Sequence, residues 1–148
     1  MTEIRILILL LAVPFCQVPE PPKTPQSLPP TIEVHFSPHG GCTDAVVKEL
    51  GNVKRIILVQ ACSFTSGPIA KASVDAHKCG IDVRVILDKS QRLEKYSSAD
   101  FVAHAGIHAF IDAKYAIAHN KVMIIDGQNV LTGSYNFTKA AEEKTLRI

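Results

Sequence analysis

The sequence predicts an α/β domain built on a mixed β-sheet flanked by helices on both sides, carried behind a short apolar leader and a proline-rich spacer. Three observations predict it. From Thr31 onward, short β-branched apolar runs alternate with segments that carry helix start and stop signals, the order expected of an α/β layer structure. Arg55 to Ala61 (Arg-Ile-Ile-Leu-Val-Gln-Ala) has the near-continuous apolar character of a central strand. Lys121 to Ile125 and Asn129 to Thr132 are separated by Asp126-Gly127-Gln128, a hairpin signal, so part of the sheet is antiparallel.

The elements follow in order. Ile32 to Phe36 reads as a first strand and Asp44 to Leu50 as a short helix. After the central strand, Ser66 is placed as the N-cap of a helix through Cys79, with Pro68 in its first turn and Gly80 as its stop. Asp82 to Leu87 is the next strand. The loop after it carries Lys89, Arg92 and Lys95, either as a solvated surface or as the border of a cleft that meets a polyanion. Ser97 to Ala105 reads as a helix and His108 to Ile111 as a short strand, ahead of the hairpin. No internal repeat is visible, so whatever motif the domain carries occurs once.

Residues 1–17 and 18–30 stand apart from residues 31–148. Ile6 to Phe15 is a ten-residue apolar run behind Arg5, the length of a secretory signal core and short of the roughly 20 residues of a membrane span. It is expected to act as a signal peptide, exporting the domain to a periplasmic or secreted location, or to remain uncleaved as an N-terminal tether to the inner membrane. Val18 to Pro30 holds six of the nine prolines, a stiff and extended linker.

Composition excludes little. The apolar share of 47% is enough for a core. Setting aside Arg5, Lys23, Glu3 and Glu20, the domain has 14 basic against 12 acidic residues, so no strong overall field selects a partner. Cys16, Cys42, Cys62 and Cys79 form no Cys-x-x-Cys pair, and three remain if the leader is removed. Cys62 and Cys79 are expected to be small buried apolar residues, and one disulfide remains open in an oxidising compartment. His35, His39 and Cys42 have a loose metal-ligand spacing, but Gly40 and Gly41 suggest a turn. His104 and His108 are four apart, with Gly106 breaking the helix that would align them.

The chemistry concentrates in His119-Asn120-Lys121-Val122-Met123-Ile124-Ile125-Asp126 and, seven residues on, Gly133-Ser134-Tyr135-Asn136-Phe137-Thr138. Side chains alternate across a strand, so His119 and Lys121 share a face and a ligand, whereas Asp126 falls on the other face. The hairpin then brings Ser134 and Asn136 beside the His/Lys pair. A neutral imidazole is a competent nucleophile, and an ammonium with an amide stabilises charge on non-bridging phosphate oxygens. Ser134 can add a hydrogen bond or orient the imidazole. The set suits attack on a phosphodiester without a metal.

On these residues the chain resembles the phospholipase D superfamily, specifically its small single-motif bacterial endonucleases. The resemblance runs from about Ile32 to Lys144 and includes Phe36-Ser37-Pro38, Ser63-Phe64-Thr65 and Phe137-Thr138-Lys139-Ala140-Ala141. It implies a phospholipase D/nuclease-like fold and a homodimer with one composite active site made from two motifs. It also implies a covalent phosphohistidine intermediate and neither metal nor cofactor. His119 would be nucleophile or leaving-group acid, Lys121, Ser134 and Asn136 would bind the phosphate, and Asp126 would be the aspartate of the catalytic motif, held behind the site. The implied substrate is nucleic acid, DNA or RNA, with phospholipid head groups as the alternative. One departure counts against full activity. The family's final strand supplies a glutamate to the catalytic histidine, and here Arg147 stands about where it is expected; a cation there would disfavour the charged imidazole and misorient the ring. That departure motivates a rival of another class, a catalytically weak module that binds nucleic acid or a membrane surface.

Overall fold

The computed structural model describes residues 29–92 and 98–144, and the chain divides into two compact units, 1–32 and 33–148. The leader Ile6–Phe15, most of the proline-rich linker, and Arg147 lie outside the described residues. Among the described residues no helix is long and apolar enough to cross a membrane.

The second unit is a five-stranded sheet in the order β3-β2-β1-β4-β5. Its strands are β1 (Ile56–Ala61), β2 (Asp82–Asp88), β3 (His108–Asp112), β4 (Lys121–Ile125) and β5 (Asn129–Thr132). β1, β2 and β3 run parallel, whereas β1 with β4 and β4 with β5 run antiparallel, so the expected mixed sheet is what forms. The parallel pairs are joined by helical crossovers: α2 (Gly67–Lys78) links β1 to β2, and α3 (Ala99–His104) precedes β3. Helix α1 (Cys42–Asn52) precedes the sheet and a short α4 (Lys139–Glu143) follows it.

The period-two pattern of each strand sets its two faces. Ile57, Val59, Val83, Val85, Leu87, Met123 and Ile125 share one face and form a single core with Val46 and Leu50 of α1, Ile69 and Val74 of α2, and Val102 of α3. Helices α1, α2 and α3 therefore pack on this face. On the other face Leu58, Val122 and Ile124 are half-buried, and Ile86, Phe110 and Val130 are exposed.

Most elements lie within one or two residues of expectation, and β4 and β5 match it at both ends. The expected strand Ile32–Phe36 does not form. Phe36 bridges Gly40 across a tight turn instead, and Val34 and Phe36 are exposed. An apolar alternation supplies a face for a strand but not a neighbour, and no strand among the described residues pairs with this one. The hairpin turn behaves as its residues dictate. Asp126 and Gly127 both take positive φ, and Gln128 N donates to Ile125 O at 3.0 Å, a geometry matching the strand twist. Ser66 occupies the N-cap position of α2, but its side chain makes no cap bond.

Candidate active site

At one end of the strands the carboxyl ends of β1 and β2 meet the amino end of β4. Ala61 pairs with Lys121, so Cys62 and Asn120 face one another just beyond the ladder, where Cys62 N donates to Asn120 O at 2.8 Å. Open α/β sheets place ligands at the carboxyl ends of their parallel strands, beside the point where strand order reverses. Here that point lies between β2-β1 and β4.

His119 and Lys121 converge there. Lys121 Nζ lies 3.0 Å from His119 Nε2 and 3.4 Å from Cys62 Sγ. An ammonium only donates, so Nε2 accepts with its lone pair and the ring proton of the neutral imidazole sits on Nδ1. His119 is exposed, whereas Lys121 is buried, with 7% of its surface accessible. A buried ammonium costs several kcal/mol unless it is compensated. Among the described residues Lys121 has these two neutral acceptors and no carboxylate within ion-pair distance, which leaves positive charge and a donor for an anion.

Pairing of Val122 with Thr132 carries the chain after β5 back toward this end of the strands, as expected. Asn136 arrives with Oδ1 3.2 Å from Cys62 Sγ. Thr65 N and Ser66 N both donate to Phe137 O at 3.0 Å and tie the Asn136 segment to the end of β1. Tyr135 OH lies 2.7 Å from Thr43 Oγ1, and Thr43 also donates to Glu142 of α4. Burial pushes the Tyr135 phenol above its ordinary value against the opposing Thr43 hydrogen bond.

Asp88, at the end of β2, braces the segment before His119. Its carboxylate accepts from Ala118 N at 2.7 Å and Ser90 N at 2.9 Å, and these bonds, the Ala118 bond foremost, lower its pKa to about 2. Gln91 Oε1 accepts from Phe64 N at 3.0 Å, anchoring the 3-10 turn Lys89–Arg92 against the loop after β1. Lys89 and Arg92 thereby border the site, and Lys95 lies outside the described residues. A cleft of about 710 Å³ is lined by His119 and Cys62, by the basic Lys89 and Arg92, and by the apolar Ala116 and Ile117.

Two expected site residues stand elsewhere. Asp126 is at the far end of β4 from Lys121, roughly 17 Å along the strand at about 3.4 Å per residue. It does not brace the site. Its carboxylate accepts from Lys54 N at 2.9 Å, Arg55 N at 2.8 Å and Ile56 N at 3.1 Å, fastening the hairpin to the start of β1. Partial desolvation pushes its pKa up, but those backbone bonds and the Arg55 charge outweigh it and hold the pKa below the usual carboxylate value. Ser134 lies on the exposed turn after β5, and its hydroxyl meets no partner among the described residues.

The cysteines also differ from expectation. Cys62, expected to be a buried apolar residue, contacts both Lys121 and Asn136, and Cys79 is exposed at the end of α2; among the described cysteines only Cys42 is buried, and Cys16 lies outside the described residues. All three are free thiols. His35, His39 and Cys42 assemble no metal cluster, nor does any other group of three His, Cys, Asp or Glu among the described residues.

Fold and site together define an α/β domain with a histidine–lysine pair at the strand ends, and comparison with known proteins gives its family. The family model described as "Cardiolipin synthase, PLD-like domain" matches residues 46–146. The chain belongs to this family of phospholipase D-like domains. It is 37% identical over 113 residues to a phospholipase D of Rickettsia typhi, covering 76% of this chain and 55% of that one. The chain thus spans little more than half the length of the curated relatives it matches. Its fold is similar to Nuc from Salmonella typhimurium, described as a phospholipase D family member, with TM-score 0.72, 39% identity and 76% of each chain covered. NucT from Helicobacter pylori is also similar, with TM-score 0.61, 26% identity, and 69% of this chain and 70% of that one covered.

Proposed function

We propose that the chain is a phosphodiester hydrolase acting on nucleic acid, a non-specific endonuclease working through a covalent phosphohistidine without a metal. The observation that carries this reading is the buried ammonium of Lys121, unpaired with any described carboxylate and 3.0 Å from Nε2 of an exposed histidine. An anion brought to Lys121 arrives next to a nucleophile. Membership of the phospholipase D-like family supports the reaction class.

In this reading a non-bridging phosphate oxygen takes up the Lys121 N–H now directed at His119, which releases the Nε2 lone pair for attack on phosphorus. The N–P bond forms as the bond to the leaving oxygen breaks, and that oxygen needs a proton. Each chain supplies one such histidine, so His119 of a second copy, as imidazolium, gives the proton. Water then attacks phosphorus, the second imidazole accepts its proton, and the N–P bond breaks to release the phosphomonoester. The enzyme is thus a two-fold homodimer with one composite site. Lys89 and Arg92 on the cleft wall favour a polyanion over a single lipid head group. The apolar wall at Ala116 and Ile117 supports the second reading, a phospholipase D acting on head groups.

Plasmid DNA and phosphatidylcholine vesicles, each incubated with the chain in excess EDTA, separate these readings. Cleavage of DNA alone is the expected result. Hydrolysis of the lipid alone transfers the assignment to the second reading, and activity that requires added zinc or magnesium removes the metal-free mechanism.

A further inference from the structure

The thiol of Cys62 lies between the two groups that would hold the phosphate, and the reaction as described gives it no task. Sγ is 3.2 Å from Asn136 Oδ1 and 3.4 Å from Lys121 Nζ. The roles in this chain of contacts are fixed by chemistry. An ammonium can only donate, so the sulfur accepts from Lys121; an amide oxygen can only accept, so the S–H donates to Asn136. The two bonds reinforce each other, because a sulfur that accepts from a cation becomes a better S–H donor. An amide is planar, so pinning Oδ1 to the thiol turns Nδ2 the other way. Among the described residues Nδ2 has no protein partner.

We propose that Cys62 is a positioning residue for phosphodiester cleavage. Its S–H selects the amide orientation in which Asn136 offers its NH₂ to the substrate, and its lone pair steers Lys121 Nζ beside His119. The assignment rests on the phosphodiesterase reading above. A residue that merely filled space at the end of β1 would be replaced without loss by another small apolar side chain.

The test uses the full chain and bis(p-nitrophenyl) phosphate in EDTA, with melting curves on every variant. Cys62→Ala is expected to lower kcat about tenfold while KM moves less than about twofold, the loss of one neutral hydrogen bond felt in the transition state. Cys62→Ser, which keeps a donor and an acceptor, is expected to recover to within about threefold of the parent. Parental kcat in Cys62→Ala overturns the proposal, as does a Cys62→Ser variant as slow as Cys62→Ala. If Cys62→Ala does not fold, the near-isosteric pair Cys62→Thr and Cys62→Val carries the same comparison. If the parent turns over no diester at all, the phosphodiesterase reading falls, and the positioning role is judged by the side-chain NH₂ resonances of Asn136, identified by their loss in Asn136→Asp. Resonances that shift in Cys62→Ala and return in Cys62→Ser support the role, and resonances unmoved in Cys62→Ala refute it.

Discussion

The two ends of β4 carry the polar residues of one short motif, yet they differ in how their hydrogen bonds are spent. At the amino end, Lys121 is buried with only the neutral acceptors His119 and Cys62 beside it. At the carboxyl end, Asp126 is surrounded by three backbone N–H donors from the start of β1. The first end is left with capacity for an anion, whereas the second is already satisfied. Polar groups held short of partners are where function is to be sought, and saturated groups are where the fold is fastened.

The largest effect separating the two ends is expected at His119. His119→Asn should abolish diester cleavage by several orders of magnitude while the melting curve stays parental. With the proposed composite site, mixing that variant with parental chains should reduce activity faster than the parental fraction falls, because a heterodimer would lack one of two histidines. A chain that sediments as a monomer while fully active sinks the composite site.

A smaller effect is expected along the cleft wall. Lys89→Ala and Arg92→Ala should each raise KM for DNA several-fold and reduce the salt-dependence slope by about one, leaving bis(p-nitrophenyl) phosphate turnover nearly parental. Equal losses on both substrates would place these residues in the chemistry and not on a flanking phosphate.

Asp126→Asn tests the other end. It replaces a carboxylate that accepts three backbone bonds with a side chain carrying only one acceptor atom, so the melting temperature should fall by several degrees. At a temperature where the variant is folded, kcat should remain within about twofold of the parent. A large kcat loss in a fully folded variant would return Asp126 to the catalytic set.

The smallest effect is a pH dependence. Asp88 and Asp126 have pKa values lowered by folding, so their stabilisation is complete above the unfolded value of about 3.9 and is lost as pH falls through the folded value. For Asp88 that value is about 2, which places its share of the loss between about pH 4 and pH 2. Melting temperatures measured across that window should decline less steeply in Asp88→Asn than in the parent.

What was legible follows the range of the interaction. β4, β5 and their turn were readable because period, composition and Asp126-Gly127 are all local signals. The convergence of His119, Lys121 and Asn136 was readable because alternation and one hairpin suffice to bring them together. The strand expected at Ile32–Phe36 misled because alternation does not reveal whether a neighbour exists. The five-residue α4 escaped notice because it is held by the Thr138 cap and by bonds from Glu142 to residues about a hundred positions away. Cys62 was misread for the same reason: its neighbours Lys121 and Asn136 are 59 and 74 residues distant. Asp126 was assigned to the site because it belongs to the motif, and alternation told its face but not its distance along the strand.

The Glu142 carboxylate accepts from Gly41 N at 3.3 Å and Thr43 N at 3.0 Å, closing the amino terminus of α1 with a residue from the last described helix. During synthesis α1 is therefore made long before its cap. At about 5–20 residues per second, the intervening hundred or so residues take roughly 5–20 s to add. Over that interval the first amides of α1 can be satisfied only by water, and β4, β5 and the Tyr135–Thr43 contact must still be laid down. The clasp between Glu142 and Thr43 is consequently a late event in the life of each new chain, one that joins a helix made early to the segment that carries Asn136.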